Sequence, residues 1–152
     1  GFVRRVLRNS EKIAKGVDGR NTIWASATEF KGKFPEMPEK YLASFEDKVF
    51  EPAVIKEGSI LVQGQNLGQS RPGKFFGSRE SGVPRTVSEG EELWFIQEHG
   101  KRAEVVKGYM VTKDIPVYYG KVANGVGDQF LVPEFQYLSD SLKEVFEVRT
   151  MN

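Results

Sequence analysis

Apolar and polar positions alternate along most of this chain in short runs, with turn residues roughly every 8–12 positions, a spacing that predicts strands. Thr22–Phe30 sets Ile23, Ala25 and Ala27 against Trp24, Ser26 and Thr28. Ser59–Gln63 carries the apolar core Ile60, Leu61 and Val62, and Glu91–Glu98 is the strongest strand pattern in the chain. His99-Gly100 turns that strand into Ala103–Val106, and Tyr109–Thr112 and Ile115–Ala123 continue the alternation. Asn124-Gly125 predicts a hairpin turn, because both residues tolerate positive φ. Gln129–Val132 returns from it, and Val145–Met151 reads as a closing strand.

Helical spacing occurs in two places. Over residues 1–15, Val3, Val6, Leu7, Ser10 and Ala14 share one face, while Arg4, Arg5, Arg8, Lys12 and Lys15 crowd the other and Gly16 supplies a stop. Pro38 suits the first turn of a short helix that places Tyr41, Leu42 and Phe45 on one side, and Glu51-Pro52 closes that unit. Ser139-Asp140-Ser141 caps a further helical turn. The division that follows is a basic N-terminal arm over residues 1–20 and a β-rich domain over residues 21–152. The predicted fold class is mainly β: a sandwich, jelly roll or small barrel of about eight short strands, one or two short helices and the arm.

Composition narrows the function classes. The chain has 152 residues, a length that fits one domain, and its 22 basic side chains are matched by 21 acidic ones. Attraction to an acidic partner therefore rests on local asymmetry, as in residues 1–20, where six basic and two acidic residues leave a net of +4. The absence of cysteine removes disulfides and thiolate chemistry. No apolar run reaches the ~20 residues of a membrane helix, and the basic N-terminus lacks the apolar stretch of a signal peptide.

The stretch Val54–Phe76 is the place where chemistry is first sought, because glycines and cations beyond a strand can cradle an anion. Gly68 to Lys74 has the GxxxxGK spacing of a phosphate loop, yet Phe75 stands where Ser or Thr should bind magnesium, Pro72 removes an amide donor, and no helix can follow. His99 is the sole histidine, so neither a histidine metal cluster nor a histidine acid–base pair is available. Among the clustered carboxylates Glu89, Glu91 and Glu92, alternation separates Glu91 from Glu92, and Asp114, Asp128 and Asp140 are isolated. Neither a cofactor nor a metal is expected, and no catalysis. Arg71, Lys74, Arg79 and Arg85 interleave with Phe75 and Phe76, a mixture that suits either nucleic acid or a protein interface. The candidate partner-binding residues are Arg4, Arg5, Arg8, Lys12 and Lys15 in the arm, and Arg71, Lys74 and Arg79 in the loop.

Two resemblances add to this reading. The steps Lys56-Glu57-Gly58-Ser59-Ile60-Leu61-Val62, Lys107-Gly108-Tyr109-Met110-Val111 and Tyr118-Tyr119-Gly120-Lys121-Val122 resemble strand entries of phage capsid decoration (cement) proteins. That resemblance implies a small, non-enzymatic virion component whose arm docks on the capsid shell or on its own copies. Lys56 to Val62 followed by Gly68 is similar to the core of DNA target-recognition domains in restriction–modification specificity subunits, with Ser59 in place of their usual Asp. The sequence is thus read as a structural assembly protein of the virion that binds protein subunits and no membrane or small-molecule substrate. The alternative is a cytoplasmic nucleic-acid-binding β domain.

Overall fold

The computed structural model describes residues 24–26, 34–78, 86–89, 103–123 and 127–149. They form eight strands: β1 (Trp24–Ser26), β2 (Glu51–Ile55), β3 (Ile60–Gln65), β4 (Phe75–Ser78), β5 (Val105–Val111), β6 (Ile115–Lys121), β7 (Asp128–Leu131) and β8 (Leu142–Val148). All pairings are antiparallel and join one sheet in the order β1-β2-β6-β7-β4-β3-β5-β8. The mainly β class is what the chain adopts, with eight short strands among the described residues. Two 3-10 turns (Glu39–Ser44, Glu46–Lys48) and a short helix α1 (Phe135–Asp140) complete the described elements.

One register organises the sheet. β2 pairs with β6 from Glu51↔Tyr119 to Ile55↔Ile115, and β3 pairs with β5 from Ile60↔Met110 to Gln65↔Val105. The two partner numbers add to the same value in both ladders, so β2–β3 and β5–β6 are one long antiparallel ribbon bent at residues 56–59 and 112–114. The bend is unavoidable. β5 and β6 lie four strand spacings apart in the sheet order, about 19 Å if it were flat. Three linking residues span at most about 14 Å. The sheet therefore curls, and residues of β2, β3, β4, β5, β6 and β7 meet in one interior cluster that includes Ile55, Leu61, Phe76, Tyr109, Val117, Tyr119 and Phe130. β1 and β8 are its two ends.

The corner is held by polar groups that would otherwise face water unpaired. Gly58, at φ 92°, donates to Val111 O, and Val111 N donates to Ser59 O, both at 2.8 Å. Asp114 accepts the Glu57 amide at 2.9 Å and pairs with Lys56 Nζ at 3.1 Å.

The outer faces carry two further clusters. Phe45, Tyr118 and Leu131 pack with Met37, Tyr41, Phe50 and Phe75, which lays residues 37–50 across β6, β7 and β4. Val62, Val87, Ala103 and Val106 pack with Phe146 and Val148 outside β3, β5 and β8. Each cover closes over a strand glycine: a Cβ on Gly120 would come within 2.6 Å of Phe45 Cδ1 and of Val49 O, and one on Gly108 within 2.2 Å of the Phe146 ring.

Several sequence expectations change here. β2 replaces the break read at Glu51-Pro52. Pro52 stands near the start of β2, opposite Tyr118 of β6. Ala103–Val106 and Tyr109–Thr112 merge into β5, whose irregularity at Gly108/Tyr109 is a bulge against β8 rather than a turn. The helical turn expected to begin at Ser139 instead ends there, because α1 runs from Phe135 to Asp140. The amphipathic arm of residues 1–15, the strand Glu91–Glu98, His99 and the turn Asn124-Gly125 lie outside the described residues.

Candidate functional site

β3 and β4 pair only at Leu61↔Ser78 and Val62↔Gly77, after which the strands part. The gap is filled by Gln63. Its Nε2 donates to Gly73 O at 3.0 Å and Phe75 O at 2.6 Å, while its Oε1 accepts the Gly73 amide at 2.7 Å. Gln65, two residues on, donates through Nε2 to Gln63 Oε1 at 2.9 Å and to the Tyr109 hydroxyl at 2.7 Å. Its own Oε1 is buried without a partner, so the row of carboxamides has an acceptor left over. Burial pushes the Tyr109 phenol up, against the downward pull of the Gln65 hydrogen bond. It stays a neutral hydroxyl.

Beside this plug lies a shallow cleft lined by Val62, Gln63, Gly64, Phe75, Phe76, Gly77 and Gln129. Gly64 and Gly77 leave its floor without side chains, so a flat polar group can approach the backbone closely. Its volume of about 30 Å³ holds a water or the edge of a larger ligand, not a buried small molecule. Gln129 is 7% exposed and donates through Nε2 to Ser44 Oγ at 3.0 Å. The lining side chains offer carboxamides and rings, and none is a histidine, cysteine or carboxylate. Among the described residues no group of three His, Cys, Asp or Glu side chains is placed to hold a metal ion. Such a cleft can bind and orient by hydrogen bonding.

The loop 66–74 leaves β3 and returns as β4. The glycine–cation spacing that resembles a phosphate loop does not cradle an anion. The Gly73 amide is turned inward onto Gln63, and the strand Phe75–Ser78 follows where a helix would be required. The Leu67 amide is taken by Glu104 Oε1 at 3.1 Å.

Of the sequence-derived partner residues, Arg71 and Lys74 are brought close to aromatic rings. Arg71 lies 4.8 Å over Phe135, and Lys74 lies 5.7 Å from the Tyr41 ring, which also carries Lys40 at 4.9 Å. Arg4, Arg5, Arg8, Lys12, Lys15 and Arg79 lie outside the described residues. Sequence reasoning passed over Gln63, Gln65 and Gln129, and over Tyr41 and Phe135 as partners of the cations. The alternation of Gln63 and Gln65 inside an otherwise apolar strand was the signal for the first two.

At the far end of the ribbon, burial raises the Glu51 carboxyl above its usual range, and its Oε2 is buried without a hydrogen-bond partner. Lys107 moves upward because it hydrogen-bonds Glu144, with the two 3.0 Å apart.

No protein-family model matches the chain, and no curated protein sequence matches it. Two solved structures are similar in fold. A chain of the complex of Rhs1-CT with its cognate immunity protein RhsI1 aligns with a TM-score of 0.51 and 16% identity, covering 68% of this chain and 83% of that chain. A chain of the Tse6–Tsi6 complex aligns with a TM-score of 0.50 and 16% identity, covering 92% of this chain and 96% of that chain. Both neighbours were solved with a protein partner. These neighbours overturn the expected role as a capsid-associated virion component and its nucleic-acid-binding alternative. Of the charged-Gly-apolar steps behind the resemblance, only the one at Gly58 leads into a strand, while Gly108 and Gly120 lie within β5 and β6.

Proposed function

We propose that this chain is the toxin half of a toxin–immunity pair. The observation that carries the proposal is the extent of the second alignment, 92% of this chain against 96% of its neighbour, within a toxin–immunity complex. The glutamine cleft favours the toxin half over the immunity half. A partner that only plugs another protein has no need of a glycine floor ringed by Gln63 and Gln129, whereas a toxin needs a place to hold a target. The action proposed for the cleft is to bind and orient a flat group over the glycines through the Gln129 carboxamide, since the Gln63 carboxamide is spent within the fold.

Induced expression of the chain in a bacterial cytoplasm tests this. Growth arrest is expected, relieved by Gln129→Ala in a variant whose circular dichroism matches that of the parent. A chain that leaves growth untouched contradicts the toxin assignment. Arrest that persists undiminished in folded Gln129→Ala removes the cleft from the account.

A further inference from the structure

Of the seven described cations that make no ion pair with a described residue, three stand over aromatic rings. Lys40, Arg71 and Lys74 take part in no ion pair with a described residue, and each sits over an aromatic ring instead. The three contacts belong to one strip. The Val132 amide donates to Lys74 O at 2.8 Å, which fixes the loop carrying Arg71 and Lys74 beside the chain leading to Phe135. Tyr41 in turn meets Phe75 edge-on at 5.0 Å. Large apolar side chains remain in water at Phe135, 49% exposed, and in the loop that carries the cations, at Leu67, 50% exposed. Exposed aromatics beside arginine are the composition that protein interfaces favour at their energetic centres.

We infer that the strip of Lys40, Tyr41, Leu67, Arg71, Lys74 and Phe135 is the docking surface for an acidic, partly apolar face of the cognate protein partner. Charge complementarity selects that occupant, since the strip offers three positive groups and its rings supply the apolar ground between them. A single-stranded nucleic acid fits less well. Bases need open ring faces to stack on, and here cations already cover Phe135 and Tyr41. The strip borders the cleft, because Phe75 lines the cleft and touches Tyr41. A partner seated on the strip would therefore lie across the cleft mouth. The inference rests on the toxin–immunity reading for the partner's identity, but the surface itself is testable without it.

The probe is a short peptide alternating Asp and Glu with Leu and Tyr, titrated into the isotope-labelled full chain at low salt. Amide shifts are expected to cluster at residues 40, 41, 67, 71, 74 and 135. The double variant Arg71→Glu/Lys74→Glu should bind at least about tenfold more weakly, while Lys121→Glu/Lys143→Glu, placed elsewhere, should bind as the parent does. Shifts that map elsewhere, or equal affinity in the Arg71/Lys74 variant, overturn the docking surface. Tighter binding of oligothymidylate than of the peptide at the same residues overturns the choice of a protein partner. The growth experiment stands apart from this outcome: arrest with no peptide response removes the strip and leaves the toxin assignment in place.

Discussion

The two ends of β3 use their polar groups in opposite ways. At the start of the strand, the corner of residues 56–59 and 112–114 consumes what it has: the Gly58 and Glu57 amides, the Lys56 ammonium and the Asp114 carboxylate all bond within the fold. At its finish, loop 66–74 is held by Gln63, by Glu104 on the Leu67 amide and by the Val132 amide on Lys74 O, while its cations lie over rings on the surface. The corner bonds lie at the surface, where each contributes about 0.5–1.5 kcal/mol. Nothing in the ribbon requires Arg71 or Phe135. The difference separates residues that make the fold from residues that the fold displays.

The largest expected effect falls on the anchor beneath the loop. Gln63→Leu removes one acceptor and one donor that together satisfy Gly73 and the Phe75 carbonyl, and should lower unfolding free energy by about 2–4 kcal/mol, read by denaturant titration. A loss below about 1 kcal/mol would mean that water replaces the carboxamide freely. Next comes Asp114→Ala at the corner, expected to cost about 1–2 kcal/mol, mostly through the Glu57 amide, since the exposed Lys56 pair contributes little.

Glu51 sharpens the comparison through pH. Its carboxyl is raised by burial, so the folded chain holds this proton more firmly than the unfolded chain. The associated stability is fully present below the unfolded value, near 4.5, and is lost as pH rises through the higher folded value. Glu51→Gln should be the more stable protein at neutral pH and should lack that decline in a thermal melt series. The smallest effect is expected at the displayed end, where Arg71→Ala and Phe135→Ala should each stay within about 0.5 kcal/mol of the parent in stability.

Much of the architecture was legible because β3, β5, β6 and β7 are short, largely buried runs rich in apolar residues and set off by turn residues, a pattern that shows in the sequence. β2 was hidden by Pro52, a residue that reads as a breaker in the sequence yet pairs opposite Tyr118 in the sheet. The shared register of the bent ribbon was beyond reach, since it depends on partners 40–68 positions apart that no local pattern connects. At the candidate site, glycines and cations marked loop 66–74 as a contact surface, and Arg71 and Lys74 were found there. Phe135 was missed because a large aromatic in a β protein is ordinarily core, and only the turn into α1 leaves it half in water. The cleft was missed for a different reason. Gln63 and Gln129 come together only through the pairing of β4 with both β3 and β7.

One pair of readings on one protein tests the contrast between the two ends of β3 most directly: the unfolding free energy and the acidic-peptide affinity of Arg71→Glu/Lys74→Glu. The account predicts a stability within about 0.5 kcal/mol of the parent together with an affinity loss of at least about tenfold. A variant that unfolds more easily by about 2 kcal/mol, or that binds the peptide as the parent does, would contradict it.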